Sequence, residues 1–313
     1  TPKQKVNAVD RLGKKYVEII LSGDTYDDAK NAALKFVHKE NKIFVSPFDH
    51  HLIIEGQGTV ALEILDQIGK KKIDYLFVPI GGGGLLAGIV TVFSVLSPDT
   101  KIIGVEPKGA ASMRASIDAG YNVELPKIDK FVDGAAVQKV GDLTFEICKD
   151  YISDCISVDE GKICETILEM YNKDAIVLEP AGALSISALE QYQEMIKGKN
   201  VVCIVSGSNN DITRMEEIKE RALLYKGVKH YFLVKFPQRP GSLKEFVLDV
   251  LGENDDIAFF EYTKKNSRET ALATVGIELA DASDFEGLIQ RMKERGYFET
   301  YLNDSPNILN ILV

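Results

Sequence analysis

Apolar and polar positions over the first two-thirds of the chain alternate between short apolar runs and stretches of helical period. Ala29, Ala32, Ala33, Phe36 and Val37 fall on one face of a helix over 26–40, with Asp24 or Thr25 as its cap. A helix carrying Val60, Leu62, Ile64 and Leu65 is predicted to start near Gly56. Apolar runs predict strands at 16–21, 75–80, 101–105 and 201–205. Helical period predicts helices at 85–96, 110–119, 142–150, 159–171, 181–196 and on to about 224. Strands alternating with helices imply an α/β fold with a mostly parallel, doubly wound sheet, and ligands of such sheets bind outside the carboxyl ends of the strands.

The pattern changes after Lys226-Gly227. A strand over 228–236 meets the turn Pro237-Gln238-Arg239-Pro240-Gly241, and Ser242 with Glu245 reads as a capping box opening a helix to about 251. Strands at 257–262 and 270–278 flank a polar hairpin loop at 264–269, and a helix over 283–294 precedes strands at 297–301 and 308–312. The order β-α-β-β-α-β is a small ferredoxin-like α+β unit. The expected domains are therefore 1–227 and 228–313.

Bulk properties narrow the function. A chain of 313 residues suffices for two domains, and a formal charge of -10 with no long basic block argues against nucleic acid as a partner. The four cysteines, at 148, 155, 164 and 203, form no C-x-x-C pair and no zinc spacing, and read as reduced thiols of a cytoplasmic protein. The uncharged stretch 75–98 is long enough for a bilayer, but four glycines behind Pro79 break a spanning helix, so no membrane partner is expected. The chain opens on Thr1-Pro2, an N-cap followed by proline, without an initiator Met. An α/β domain more often opens on a strand, so a missing upstream segment is expected.

The candidate chemistry centres on Tyr75-Leu76-Phe77-Val78-Pro79-Ile80, then Gly81, Gly82, Gly83 and Gly84, then Leu85-Leu86-Ala87. Strand, glycine cup and helix N-terminus together make a phosphate site. Residues 82–87 also fit the G-x-G-x-x-A form of a dinucleotide fold, with Glu106 where a ribose-binding acid would stand. A P-loop is excluded because no Gly-Lys-[Ser/Thr] follows. Ser206, followed by Gly207 after a buried strand, can exchange a hydrogen bond with a ring nitrogen or can simply cap a helix. The segments Leu178-Glu179-Pro180-Ala181-Gly182-Ala183, Phe131-Val132-Asp133-Gly134 and Pro47-Phe48-Asp49-His50-His51 are turns whose role the spacing leaves open. The adjacent histidines lack helical ligand spacing, and no metal is assigned.

Taken together these elements resemble the threonine dehydratase family of pyridoxal-phosphate (PLP) enzymes, of the tryptophan-synthase-β fold type (fold type II). The matching residues run in order: Thr1-Pro2-Lys3-Gln4-Lys5-Val6, Gly56-Gln57-Gly58-Thr59, Val78 through Leu85, Gly104-Val105-Glu106-Pro107, Phe131 to Gly134, Glu179 to Ala183, and Ser206-Gly207. The resemblance implies that the amides of Gly81, Gly82, Gly83, Gly84 and Leu85 cradle the phosphate of pyridoxal 5'-phosphate and that Ser206 bonds its pyridine nitrogen. A neutral serine there suits β-elimination better than transamination. About residues 1–45 would belong to the smaller lobe of the core. The family's Schiff-base lysine lies in a Ser-Phe-Lys-type motif followed by a Ser-x-Gly-Asn-His loop. Neither occurs here, so that lysine is expected upstream of Thr1, no lysine of this chain is assigned, and the 313 residues alone are expected to be inactive. Some members bind a cation through the glutamate of Val-Glu-Pro, but Lys108, Gly109 and Ser112 replace its usual surroundings.

The tail resembles a single ACT-like regulatory domain, with Arg239, Gly241, Ser242 and Leu243 as effector contacts. That is the short biosynthetic form, a lyase turning L-threonine into 2-oxobutanoate and ammonia for isoleucine biosynthesis and inhibited by isoleucine. L-serine stays open as substrate and valine as effector, since serine racemase and serine dehydratase share the core. A homo-tetramer is the family expectation. The alternatives are a non-catalytic amino-acid-sensing fragment and a nicotinamide-dependent oxidoreductase.

Overall fold

A computed structural model of the chain describes residues 3–24, 26–262 and 270–305. The chain divides into two compact units, Thr1–Ile218 and Lys219–Val313. The first contains α1 (Lys3–Gly13), α2 (Tyr26–Glu40), α3 (His51–Ile68), β1 (Tyr75–Pro79), α4 (Gly84–Leu96), β2 (Lys101–Pro107), α5 (Ser112–Ala119), α6 (Asp142–Cys148), β3 (Asp154–Val158), α7 (Glu160–Asp174), α8 (Pro180–Ser187), α9 (Gln193–Ile196) and β4 (Val201–Cys203). The division falls within α10 (Met215–Tyr225).

The sheet of this unit has the order β3-β2-β1-β4, and each neighbouring pair is parallel. Val78 stands opposite Gly104, Gly104 opposite Cys155, and Tyr75 opposite Val201. Every residue of β1 is buried, as a central parallel strand with both faces covered requires. Leu76, Val78 and Ile80 pack with Leu86, Ile89 and Phe93 of α4 and with Ile54 and Ala61 of α3. The chain winds outward from β1 to β3 and then returns to β1's other edge at β4. Strand order therefore reverses between β1 and β4, and the crevice at their carboxyl ends is where such a sheet takes its ligand.

The uncharged stretch resolves into strand, loop and helix, and among the described residues no helix is long and apolar enough to cross a membrane. Other expectations shift. The strand expected over 16–21 does not form: Tyr16 ends a 3₁₀ turn over Lys14–Tyr16, residues 17–22 are irregular, and Tyr16, Ile20 and Leu21 are exposed rather than paired in a ladder. The helix expected near Gly56 begins at His51, because His50 caps it by accepting the Leu52 amide on Nδ1 at 3.2 Å. The strand β3 has no counterpart in the sequence reading. The segment 181–196 is α8, a 3₁₀ stretch over Ala188–Tyr192 and α9 rather than one helix. The strand expected over 201–205 ends at Cys203. The Thr1-Pro2 cap, Thr25, the loop at 264–269 and the strand at 308–312 lie outside the described residues.

The second unit contains β5 (Lys229–Pro237), α11 (Ser242–Asp249), β6 (Asp256–Tyr262), β7 (Thr270–Glu278), α12 (Phe285–Glu294) and β8 (Phe298–Tyr301). They form an antiparallel sheet of order β6-β7-β5-β8, the ferredoxin-like arrangement. Phe232, Val234 and Phe236 of β5 and Ala273, Val275 and Ile277 of β7 turn one face onto Phe246, Leu288 and Met292 of the two helices. The capping box does not form. Gly241, at φ +90, takes the N-cap, Ser242 becomes the first helical residue, and Glu245 is drawn off by Arg239.

Candidate active site

At the crevice between β1 and β4 the first unit holds a pocket of about 350 Å³, lined by residues 79–85, 133–137, Phe48, Gln57, Ala181 and Ser206. Both sequence landmarks, the glycine run and Ser206, meet here although some 120 residues separate them. The segment Glu179–Ala183 joins them. The Glu179 amide donates to the Gly207 carbonyl at 3.2 Å, and the Ser206 hydroxyl stands 3.5 Å from the Ala181 carbonyl. That contact is long, so the hydroxyl is available to a ligand.

The glycines are required by space as well as by conformation. Gly83 is left-handed at φ +91, and a Cβ there would come within 2.7 Å of the Thr144 hydroxyl. A Cβ on Gly82 would overlap the Phe48 ring. No acceptor among the described residues takes the amides of Gly81, Gly82, Gly83, Gly84 or Leu85. A concave row of unpaired backbone donors at the start of a 13-residue helix fits a phosphate.

Several residues that shape the site carried no assigned role in the sequence. Asp49 accepts the amides of Asp142, Leu143 and Thr144 at 3.1, 3.0 and 3.3 Å, and so caps α6 from 93 residues away. Asp133, on the pocket wall, is held by Lys5 at 2.7 Å and by Arg214 at 3.2 Å. Arg214 also donates to the Phe131 carbonyl at 2.8 Å and lies over the Phe131 ring. These contacts link residues far apart in the chain, so no local spacing signals them.

Glu106 does not line the pocket. It is fully buried, and its carboxylate oxygens accept the Met113 and Arg114 amides at 2.7 and 2.8 Å, which leaves nothing for a ribose. Burial pushes its pKa up to about 7 against these hydrogen bonds. The pocket's described lining contains no lysine.

The second unit has its own pocket of about 270 Å³, which includes Arg239, Gly241, Ser242 and Leu243 among its lining. Phe236, Phe260 and Tyr262 supply an apolar wall. The Ser242 hydroxyl is buried with no hydrogen-bond partner. Arg239 is different: its guanidinium is committed to Glu245 through two bonds of 2.6 Å.

Comparison with known proteins finds a family match for each part of the chain. Residues 1–207 match the family model for pyridoxal-phosphate dependent enzymes, and residues 220–312 match the C-terminal regulatory domain of threonine dehydratase. The chain is 52% identical over 313 residues to the biosynthetic L-threonine dehydratase IlvA of Halalkalibacterium halodurans, covering 100% of this chain and 75% of that protein. It is 51% identical to the Bacillus subtilis protein of the same name, covering 74% of it. Among solved structures, the processed form of threonine deaminase isoform 2 from Solanum lycopersicum aligns with a TM-score of 0.65 and 40% identity. That alignment covers 71% of this chain and 64% of the tomato chain. Maize serine racemase aligns with a TM-score of 0.62 and 30% identity, over 72% of this chain and 68% of its own.

Proposed function

The chain belongs to the threonine dehydratase family of pyridoxal-phosphate dependent enzymes, and on that premise we propose that it takes part in the deamination of L-threonine to 2-oxobutanoate and ammonia, under feedback by isoleucine. The observation that carries the reading is the row of unpaired amides at Gly81, Gly82, Gly83, Gly84 and Leu85, which line one pocket together with Ser206. Pyridoxal phosphate supplies an electron sink for the substrate's Cα when it is bound. The chain's own residues hold and orient it. The five amides and the N-terminus of α4 bind the phosphate dianion. Ser206 offers the pyridine nitrogen a neutral hydrogen-bond partner, which keeps the nitrogen unprotonated and favours loss of the β-hydroxyl over transamination. The loop 133–137, whose Asp133 is tied back by Arg214 and Lys5, forms part of the pocket wall.

In the regulatory unit, the Ser242 hydroxyl and the N-terminus of α11 receive an amino-acid carboxylate, and Phe236, Phe260 and Tyr262 receive an aliphatic side chain. Arg239 contributes by holding the loop through Glu245 rather than by pairing with the effector. A second reading is an amino-acid-sensing chain without turnover, which the pocket of the regulatory unit alone would serve.

The test is binding of pyridoxal phosphate and of NAD, followed by 2-oxo acid release from L-threonine and L-serine with and without isoleucine. Saturable pyridoxal-phosphate binding with 2-oxobutanoate from threonine supports the first reading. Isoleucine binding without any cofactor uptake would favour the second, and NAD binding alone would remove both.

A further inference from the structure

The glycine cup is not self-supporting, and its geometry depends on two side chains that never reach the pocket. The Gly82 carbonyl accepts from the Gly141 amide at 3.1 Å and from the Thr144 hydroxyl at 2.8 Å. Thr144 is fully buried, and its hydroxyl also reaches the Gly141 carbonyl at 3.1 Å. Across a planar trans peptide the C=O of one residue and the N–H of the next point in opposite directions. A Gly82 carbonyl held toward α6 therefore turns the Gly83 N–H away from α6. Gly83 lines the pocket, whereas no residue of α6 does.

The second support is Asp49, whose carboxylate accepts the amides of Asp142, Leu143 and Thr144 and so fixes the N-terminal turn of α6 on which Thr144 sits. Its own amide donates to the Ser46 hydroxyl at 3.0 Å. The same carboxylate neutralises the dipole of α6, so the unpaired donors near the phosphate belong to the glycine cup and α4. The neighbouring Phe48 backbone lies against Gly84, within 3.1 Å of where a Cβ there would stand. On the side of Gly82, Gly83 and Gly84 the cup is thus bounded by the loop of Phe48 and by α6, which the Asp49 carboxylate joins.

We propose that Thr144 and Asp49 are positioning residues for phosphate recognition: they orient the Gly82–Gly83 peptide so that its amide serves the cofactor phosphate, without touching the cofactor. This rests on the pyridoxal-phosphate reading. It assigns a role in phosphate affinity to a hydroxyl 62 residues from the glycine it controls.

The experiment compares pyridoxal phosphate with pyridoxal, which lacks the phosphate, by equilibrium titration of the chain. Circular dichroism checks the folding of each variant. Thr144→Val keeps the shape and removes the hydrogen bond. It should weaken pyridoxal phosphate about tenfold and leave pyridoxal unchanged, and Thr144→Ser should restore the wild-type value. Asp49→Asn, which keeps an acceptor but loses the charge, should give a smaller loss of the same kind. It also serves as the second variant should Thr144→Val fail to fold. Wild-type preference for pyridoxal phosphate persisting in both folded variants would overturn the inference and leave the cofactor reading intact. Equal loss of both ligands would overturn it too, since that is general loosening. A wild-type chain that bound the two ligands equally would remove the cofactor reading itself, and the inference with it.

Discussion

Glu106, at the end of β2, closes the N-terminus of α5 by taking the Arg114 amide at 2.8 Å on one carboxylate oxygen, while the other holds Met113. The Cys155 thiol donates to the same carboxylate at 3.6 Å. A carboxylate with these donors would normally titrate low, but complete burial outweighs them and raises its pKa to about 7. Native Glu106 thus keeps its proton to near neutrality, whereas the unfolded chain releases it near 4.5. Between those values the unfolded state binds fewer protons, so this group makes stability fall as pH rises. At about 1.4 kcal/mol per pH unit the effect is about 3 kcal/mol. Urea titrations of the wild type and Glu106→Gln from pH 4 to 8 should show the wild type losing that much relative to the variant. Parallel profiles would mean that folding leaves the Glu106 pKa near 4.5.

Gly83 and Gly120 are both left-handed, at φ +91 and +78, but only Gly83 faces a neighbour that a methyl group would strike. Gly120→Ala should cost about 1 kcal/mol of stability and leave cofactor affinity unchanged. Gly83→Ala adds the clash with Thr144 and moves the phosphate amides, so pyridoxal-phosphate affinity should fall tenfold or more. Similar affinities for the two variants would separate the glycine cup from the phosphate.

The contrast between these glycines and their supports shows what a sequence can carry. The strand, the glycine run and α4 are contiguous, and each leaves a local signal, as does the serine after β4. The ferredoxin-like order of the second unit was legible for the same reason, because its period changes at Gly227. Thr144 and Asp49 leave none, since their meaning lies in hydrogen bonds to residues 62 and 93 positions away. Residues 17–22 mislead in the opposite sense: their β-branched composition favours a strand, but strand formation depends on a partner that composition does not report. Ser242 and Glu245 have the capping-box spacing, and the left-handed Gly241 together with Arg239 overrides it.

Arg214 bonds both Asp133 and the Phe131 carbonyl, and its side chain is 21% exposed. Losing it should free the wall loop 131–137 rather than unfold the unit. Arg214→Ala should cost about 1 kcal/mol, reduced from the buried value by solvent screening. Amide exchange should quicken in 131–137 and stay unchanged in β1 and β2. Lysine lacks the planar fork and should not restore protection. Exchange rising evenly over the whole unit would instead make Arg214 a general stabiliser.

Ser242 separates a ligand-binding role from a structural one. Its hydroxyl is buried without a partner, a state that costs stability in the free protein. Ser242→Ala removes that cost, so the variant should be as stable as the wild type or more stable by up to about 1 kcal/mol. If the hydroxyl receives the effector's carboxylate, the same change should weaken isoleucine binding about fivefold to tenfold, because the bond it makes is charge-assisted. Calorimetric titration with isoleucine, beside urea denaturation of the free protein, reads both quantities. Greater stability with weaker binding marks a residue kept for its ligand. Unchanged isoleucine affinity would take Ser242 out of the effector site and leave the apolar wall of Phe236, Phe260 and Tyr262 as its main determinant.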